Sequence, residues 1–181
     1  KHKMAHELAR LLSARADIAV KRGAMDDALE MHRKSLEIQV SLRDAVGAAR
    51  SYNNMGYIYR RRKDNRRALE VYGNVEDLLD AEDNPELCDA RIRLASAFLE
   101  MGEMDRARDH AMTAFEETED QMDIVHARAR AVLGRYYARA KENELAMQYY
   151  SGALDILSDQ ADPHSAVEVA MLLGQVLSDA G

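Results

Sequence analysis

Small and large apolar residues recur along the chain at fixed intervals. Four small residues, Ala28, Ala68, Ala107 and Ala146, are spaced by 40, 39 and 39 positions. Twelve positions before each lies a second small residue, and this series is Ala16, Gly56, Ala95 and Gly134, with Gly174 a further 40 positions on. Three positions after the second series the chain carries Ala19, Tyr59, Phe98, Tyr137 and Leu177, which are mostly large and apolar. Self-similarity at a fixed period of this length indicates a repeat protein.

Polar breaks and prolines divide each repeat into two helices. The breaks cover residues 23–26, 63–65, 102–105 and 141–143. Gly favours the left-handed backbone that ends a helix, and Asn or Asp caps the start of the next one. Pro85 and Pro163 follow Asn84 and Asp162 at the same phase of the repeat, so each proline is predicted to open a helix. Each unit is therefore predicted to be a helix, a tight turn, a second helix and a longer turn.

The composition favours helices throughout. The 181 residues include 29 Ala and 19 Leu, but only two Phe, two Pro and no Trp. Ala and Leu have high helix propensity, whereas runs of the β-branched and aromatic residues that favour strands are scarce. We predict an all-α fold in which the small residues allow neighbouring helices to approach closely.

The repeat resembles the tetratricopeptide repeat (TPR). The family pattern is matched in the second unit by Tyr52, Met55, Gly56, Tyr59, Ala68 and Tyr72, in the third by Leu94, Ala95, Phe98, Gly102, Ala107, Ala111 and Ala114, and in the fourth by Leu133, Gly134, Tyr137, Ala146, Tyr150 and Ala153. The first unit departs from it, with Arg15 at an apolar position and His32 at the aromatic one. The resemblance implies a right-handed α-solenoid of antiparallel helix pairs, the TPR superhelix.

The repeat length resembles a longer subgroup of the family. The TPR arrays of kinesin light chains, cell-polarity adaptors and bacterial peptide sensors have similar units of 39–40 residues. The sequence of residues 51–56 is also similar to the motif of that subgroup. The resemblance covers residues 1–181 as a single array, with units at about 4–46, 47–84, 85–123 and 124–162 and the first helix of a fifth at 163–181. Because the chain starts at Lys1 rather than Met, we expect it to be part of a larger protein.

The last predicted helix, at 163–181, carries apolar residues with no partner helix in this sequence. These residues are Met171, Leu172, Leu173, Val176 and Leu177. Three interpretations stay open: a continuation of the chain covers them, a second copy pairs with them in a homodimer, or a ligand binds there.

One side of each first helix is predicted to face a concave groove. At 100° per residue, positions two, five, six, nine, twelve and thirteen lie opposite the positions that pack between units. The basic members of this set are Arg10, Lys21, Arg50, Arg60, Arg61, Arg93, Arg128, Arg135 and Arg139, and the acidic members are Asp17, Asp89, Glu100, Glu168 and Asp179. Nine basic against five acidic residues give this face an excess of positive charge in a chain whose net charge is −7.

The groove is predicted to bind a peptide segment. Arg can hold a carboxylate through two parallel hydrogen bonds, so the candidate contacts for an acidic partner are Arg50, Arg60, Arg61, Arg93, Arg128, Arg135 and Arg139. Asn53 and Asn54 can hold the backbone of an extended peptide, and Tyr57 adds an amphipathic surface. The alternative is that these arginines stabilise helix C-termini and pair with acids of neighbouring helices.

No pattern in the sequence indicates catalysis. The six histidines are scattered, His2 and His6 lack a third ligand for a metal, and no Gly-rich phosphate loop is present. We therefore predict no enzyme activity, no cofactor and no metal site. The single cysteine, Cys88, excludes an internal disulfide and favours a reducing, cytoplasmic location, and no apolar stretch is long enough to cross a membrane.

The sequence therefore predicts a noncatalytic protein–protein interaction module, an adaptor or regulatory scaffold that holds an acidic or carboxylate-bearing segment of a partner. Self-association through residues 163–181 is an alternative from another class. RNA binding through the basic run at residues 60–67 is a third interpretation, and the net charge of −7 disfavours it.

Overall fold

The computed structural model describes residues 2–79, 84–121, 123–160 and 162–180, and these residues form helices joined by short turns. The helices are α1 (His2–Lys21), α2 (Met25–Ser41), α3 (Ala45–Arg61), α4 (Asn65–Leu78), α5 (Pro85–Met101), α6 (Met104–Thr118), α7 (Ile124–Arg139), α8 (Asn143–Asp159) and α9 (Pro163–Ala180). The described ranges contain no strand, so the predicted all-α class is confirmed. The predicted repeat bounds also include residues 80–83, 122, 161 and 181, which lie outside the described ranges.

The helices end in one recurring left-handed turn. Gly23 and Gly102 both have φ of +80°, as the sequence predicted for a residue that ends a helix. Lys63 and Lys141 take the same role with φ of +61° and +63°, although a side chain makes this conformation less favourable. In each of these turns, an amide just beyond the left-handed residue donates to the carbonyl five positions earlier, which satisfies a terminal carbonyl of the helix.

The two proline-led helices are capped as predicted. Helices α5 and α9 begin at their prolines. The Asn84 side chain accepts a hydrogen bond from the Glu86 amide at 3.0 Å, and the Asp162 side chain accepts one from the Ser165 amide at 3.2 Å. These bonds satisfy amides that have no partner within the helix.

Three second helices lack the predicted Asn or Asp cap. Ala24, Glu103 and Glu142 stand immediately before α2, α6 and α8, and none of them makes a side-chain capping hydrogen bond. Ala has no acceptor to offer, so α2 begins without a side-chain cap. Asp64 caps α4 by accepting from the Arg67 amide at 3.2 Å, as the sequence predicted.

The chain forms two compact units, residues 1–90 and residues 91–181. The first unit contains α1–α4 and the start of α5. Where α3, α4 and α5 meet, its core is a cluster of buried apolar side chains: Ala49, Val75, Leu79, Leu87 and Ala90. Buried polar groups join α1, α2 and α3, since Ser35 Oγ donates to the Ala9 carbonyl at 2.9 Å and Ser51 Oγ donates to Gln39 Oε1 at 2.7 Å.

The second unit contains the rest of α5 and α6–α9. Its core where α7, α8 and α9 meet consists of Ala127, Ala146, Tyr150, Ala153, Ile156, Leu157, Val169 and Val176. Two of the small residues predicted to allow close helix contact do so. The ring of Tyr72 lies against Gly56 in the first unit, and the ring of Tyr150 lies against Gly134 in the second.

Candidate functional site

Helix α3 uses two of the predicted binding residues to hold the start of α5. Arg50 Nε donates to Glu86 Oε1 at 2.8 Å. Asn53 Nδ2 donates to the Glu86 backbone carbonyl at 2.9 Å. Both contacts lie within the first unit, and both give these side chains a structural role.

The placement of Asn53 corrects the sequence prediction. Asn53 was expected on the open face of the groove, but only 2% of it is exposed. Ile92, at the same repeat position in α5, is buried as well. A spacing of 100° per residue describes one isolated helix, whereas the next helix of the array packs over this position. Position five is therefore a packing position in α3 and α5.

The other candidates of the first unit lie on α3 at different depths. Asn54, Tyr57 and Arg60 are half-buried and Arg61 is exposed in the last turn. The basic run at 60–67 is partly neutralised within the fold. Arg62 Nη2 lies 2.7 Å from Asp26 Oδ1, and Arg67 Nε lies 3.5 Å from Asp64 Oδ2. These contacts reduce the charge that the run offers to RNA.

The candidates of the second unit lie on α5 and α7. Arg93, Arg128 and Arg135 are half-buried, whereas Arg139 is exposed. The Arg139 guanidinium nevertheless donates to the Leu99 carbonyl near the end of α5. That carbonyl also accepts a hydrogen bond from the Gly102 amide in the turn after α5, so Arg139 is a second donor to it and has a structural role.

Arg135 and Arg139 come together at an open cleft in the second unit. The cleft has a volume of about 410 Å³. It is lined by Arg135, Ala138 and Arg139 of α7, Tyr150 of α8, and Leu172, Gln175, Val176 and Asp179 of α9. Sequence reasoning named Leu172 and Val176 as apolar residues of the last helix, but it did not single out Gln175, which falls at a groove position of that helix.

Tyr150, which lines the cleft, has a neutral phenol side chain. Burial raises the pKa of Tyr150 to about 12, and the nearby charge of Arg135 acts in the opposite direction. Tyr150 therefore keeps its proton at physiological pH. The cleft combines two guanidinium groups, one carboxylate, one amide and an apolar wall, which is a surface suited to a peptide that carries a carboxylate.

Burial lowers the pKa of two histidines, His32 and His126. His32 is fully buried, neither ring nitrogen has a hydrogen-bond partner among the described residues, and burial lowers its pKa against the opposing effect of Asp17. His126 Nδ1 lies 3.0 Å from Thr118 Oγ1, and Arg130 Nε donates to its Nε2 at 3.2 Å. Burial, and then the charge of Arg130, lower the pKa of His126. Because Nε2 accepts, Nδ1 carries the proton.

The described residues hold no cluster of three His, Cys, Asp or Glu side chains placed to bind a metal ion. Within the same ranges, no helix has both the length and the apolar character that a membrane span requires.

Sequence comparison identifies a repeat family in the first part of the chain. Residues 7–81 match the sequence model of the tetratricopeptide repeat family. No curated protein matches the sequence at a significant level.

Solved structures of similar fold cover nearly the whole chain. BtubC (BKLC) from P. vanneervenii is similar with a TM-score of 0.83 and 22% identity, over 98% of this chain and 74% of that one. The apo form of RapI has a TM-score of 0.77 and 15% identity, over 95% of this chain and 64% of RapI. A Rap protein complexed with Competence and Sporulation Factor has a TM-score of 0.82 and 14% identity, over 96% of this chain and 49% of that protein.

At these identities the structural likeness shows the fold. The chain spans 64% of RapI and 49% of the other Rap protein, so it corresponds to only part of each. Its place in the longer-repeat subgroup stays a prediction. Residues 7–81 are similar to the tetratricopeptide repeat family, and the chain has the helical-repeat fold that its sequence predicted.

Proposed function

We propose that the chain is a noncatalytic interaction module that binds an extended, carboxylate-bearing segment of a partner protein at the cleft between α7 and α9. The observation that supports this is the convergence of Arg135 and Arg139 on one open cleft with an apolar wall. Of the predicted arginines, these are the two that line this cleft.

The chemistry of the cleft favours a carboxylate over a neutral group. A guanidinium offers parallel donors that match the two oxygens of a carboxylate. The Gln175 amide has both a donor and an acceptor for the backbone of an extended peptide. Leu172 and Val176 provide apolar surface, and Asp179 disfavours a second acidic residue close to its own position.

The half-buried and exposed residues of α3 are further proposed contacts in the first unit. These are Asn54, Tyr57, Arg60 and Arg61. Arg93 and Arg128 are proposed contacts in the second unit. Arg50 and Asn53 take no direct part in this proposal, because their polar atoms bond to Glu86.

The structural neighbours support a binding role. One of the solved structures of similar fold is a Rap protein in complex with Competence and Sporulation Factor. We propose by analogy that this chain acts as the adaptor or regulatory part of a protein that works in the cytoplasm. The buried, single Cys88 supports that location.

A peptide titration tests the proposal. The probe is a fluorescein-labelled peptide of alternating Glu and Ala with a free C-terminus, and its control is the same peptide with Gln for Glu and an amidated C-terminus. Fluorescence anisotropy is measured against the full chain, Arg135→Glu, and Arg108→Glu. Arg108 is exposed on α6 and does not line the cleft.

We expect Arg135→Glu to weaken binding of the acidic peptide at least tenfold, which corresponds to about 1.4 kcal/mol, while Arg108→Glu changes it little. The neutral peptide should bind weakly to all three proteins. Equal affinity of the acidic peptide for the wild type and Arg135→Glu would overturn the proposal. Arg139 is left unchanged because its contact with Leu99 makes a loss of stability hard to separate from a loss of binding.

A further inference from the structure

Two turns of the first unit lie side by side and carry a dense group of positive charges. They are the turn between α1 and α2 and the turn between α3 and α4. Arg62 joins them, since its Nη2 lies 2.7 Å from Oδ1 of Asp26 in the first turn of α2. We call residues 21–27 and 60–67 together the turn edge.

The turn edge has many more basic than acidic side chains. The basic residues are Lys21, Arg22, Arg60, Arg61, Arg62, Lys63, Arg66 and Arg67, and the acidic residues are Asp26, Asp27 and Asp64. Asp26 already pairs with Arg62, and Asp64 pairs with Arg67 at 3.5 Å. Five exposed basic side chains of the edge make no ion pair or hydrogen bond with any residue in the described ranges: Lys21, Arg22, Arg61, Lys63 and Arg66. Their charges are therefore available to an anion.

The net charge of −7 is not spread evenly along the chain. Residues 1–90 contain 16 basic and 16 acidic residues, whereas residues 91–181 contain 9 basic and 16 acidic residues. The whole excess of negative charge therefore belongs to the second unit. Because exposed charges are screened beyond about 8 Å at physiological ionic strength, the local balance decides what the turn edge attracts. The net charge of the chain does not argue against an anionic partner at this edge.

The turn edge offers charge without apolar surface, which indicates the kind of anion that it suits. None of the large apolar side chains exposed in the described ranges falls within residues 21–27 or 60–67. Protein interfaces have an apolar core, and peripheral membrane binding adds apolar insertion to charge. Tyr59, beside the edge, is buried, so its ring is not available to stack on unpaired bases. A phosphate backbone needs charge alone, and a duplex carries one negative charge for about every 1.7 Å of its axis.

We propose that the turn edge binds the phosphate backbone of a nucleic acid duplex through Lys21, Arg22, Arg61, Lys63 and Arg66. Binding is independent of base sequence, because contacts to phosphate carry no sequence information. The turn edge shares no residue with the cleft between α7 and α9. Of its five unpaired side chains, only Arg61 is also a proposed contact of the partner segment.

The test measures the anisotropy of fluorescein-labelled duplexes, one of DNA and one of RNA, titrated with protein between 50 and 300 mM KCl. The proteins are the full chain, Lys63→Glu/Arg66→Glu and, as a matched control, Lys3→Glu/Arg43→Glu. The control reverses one exposed Lys and one exposed Arg of the same unit. Lys3 lies at the start of α1 and Arg43 lies in the turn after α2, so both are at the opposite end of these helices from the turn edge.

We expect the wild type to bind a duplex with a steep salt dependence. Five phosphate contacts give a slope of about −4 to −5 in log affinity against log salt concentration for DNA. Lys63→Glu/Arg66→Glu should bind at least tenfold more weakly, with a slope shallower by about 2, whereas the control should stay close to the wild type. The duplex that binds more tightly identifies RNA or DNA as the source of the phosphates.

A second variant tests the neighbouring turn. Lys21→Glu/Arg22→Glu should weaken duplex binding as Lys63→Glu/Arg66→Glu does, because both turns contribute contacts. Neither variant should change the affinity for the acidic peptide that is proposed to bind at the cleft. The two proposals can therefore fail separately.

Four results would overturn the proposal. The first is no binding of either duplex by the wild type at 50 mM KCl. The second is an equal loss of affinity in Lys63→Glu/Arg66→Glu and in the control, which would show a response to net charge alone. The third is a loss of acidic-peptide binding in Lys63→Glu/Arg66→Glu that matches its loss of duplex binding, which would make an acidic protein segment the occupant. The fourth is tighter binding to phosphatidylserine vesicles than to either duplex, which would make a membrane surface the occupant.

Discussion

The ring of Tyr72 occupies the space that a side chain at Gly56 would need: a Cβ at Gly56 would stand 2.2 Å from Tyr72 Cε1. Tyr72 is fully buried, so its ring has little room to move away. Tyr150 has the same relationship to Gly134, with the nearest ring carbons 2.7 Å from the Cβ position. Gly56 and Gly134 are therefore required because they leave room for the tyrosine rings. Their φ angles are not in the left-handed region that favours glycine.

Gly56→Ala should destabilise the fold, although Ala favours helices. Replacing an interior helical Gly by Ala gains up to about 1 kcal/mol, whereas overpacking a closed core costs about 1–3 kcal/mol. We expect a net loss of up to about 2 kcal/mol in the free energy of unfolding, measured by urea denaturation. Gly174→Ala, where the space is open, should instead stabilise by up to about 1 kcal/mol. Two substitutions with effects of the same sign would contradict this account.

The sequence predicted the parts of the fold that depend on local spacing. The alternation of helix and turn, the caps at Asn84 and Asp162, and the close contacts at Gly56 and Gly134 each follow from a residue type at a fixed phase. Such features recur in each unit because the residue types at a few fixed positions of the repeat determine them.

The candidate site was less predictable, because its long polar side chains bond to partners that are distant in the sequence and become neighbours only in the folded chain. Asn53 and Arg50 both meet Glu86, which lies 33 and 36 positions away along the chain. Arg139 meets the carbonyl of Leu99, 40 positions away. Helical periodicity gives the side of a helix on which a residue lies, but it does not show which neighbour will cover that side.

Asn53→Ala should cost more stability than Arg50→Ala, although both side chains bond to Glu86. Asn53 is 2% exposed, so Asn53→Ala removes packed side-chain atoms as well as a hydrogen bond whose net contribution is about 0.5–1.5 kcal/mol. The Arg50 side chain is 60% exposed, and exposed ion pairs contribute about 0–1 kcal/mol. Urea denaturation of both variants measures the difference. A larger loss for Arg50→Ala would show that the ion pair, rather than the buried amide, holds α5 to α3.

Lys141→Gly should stabilise the turn between α7 and α8. Lys141 has φ of +63°, a conformation that Gly adopts without the steric cost that a Cβ brings. That cost is about 1–2 kcal/mol, and the greater entropy of Gly in the unfolded chain offsets part of it, so we expect a gain of about 0.5–1 kcal/mol.

Gly102→Ala provides the reciprocal test of the same turn. Gly102 has φ of +80°, so the substitution should destabilise by about 1 kcal/mol. Thermal melts of both variants can measure these effects, because a change of 1 kcal/mol shifts the melting temperature by about 2–4 °C in a chain of this size. A decrease for Lys141→Gly would contradict the turn assignment.

The stability of the fold should fall as the pH drops below about 6.5, because His126 resists protonation. Burial and the neighbouring Arg130 lower the pKa of His126 in the folded chain, whereas the unfolded chain takes up a proton near pH 6.5. The contribution of neutral His126 to the free energy of unfolding is therefore fully present above pH 6.5. It is lost progressively as the pH falls towards the lowered pKa. His32, whose pKa is also lowered by burial, acts in the same direction.

Urea midpoints measured between pH 8 and pH 5.5 test this dependence. His126→Gln should flatten the decline, and part of the slope should persist through His32. His164→Gln is the matched control, since His164 is an exposed histidine at the start of α9. The structural cause of the decline is the hydrogen bond from Arg130 Nε to His126 Nε2. A proton on His126 Nε2 removes this acceptor and places two positive charges in contact. An identical slope in the wild type and His126→Gln would show that acid destabilisation of this fold arises at other groups.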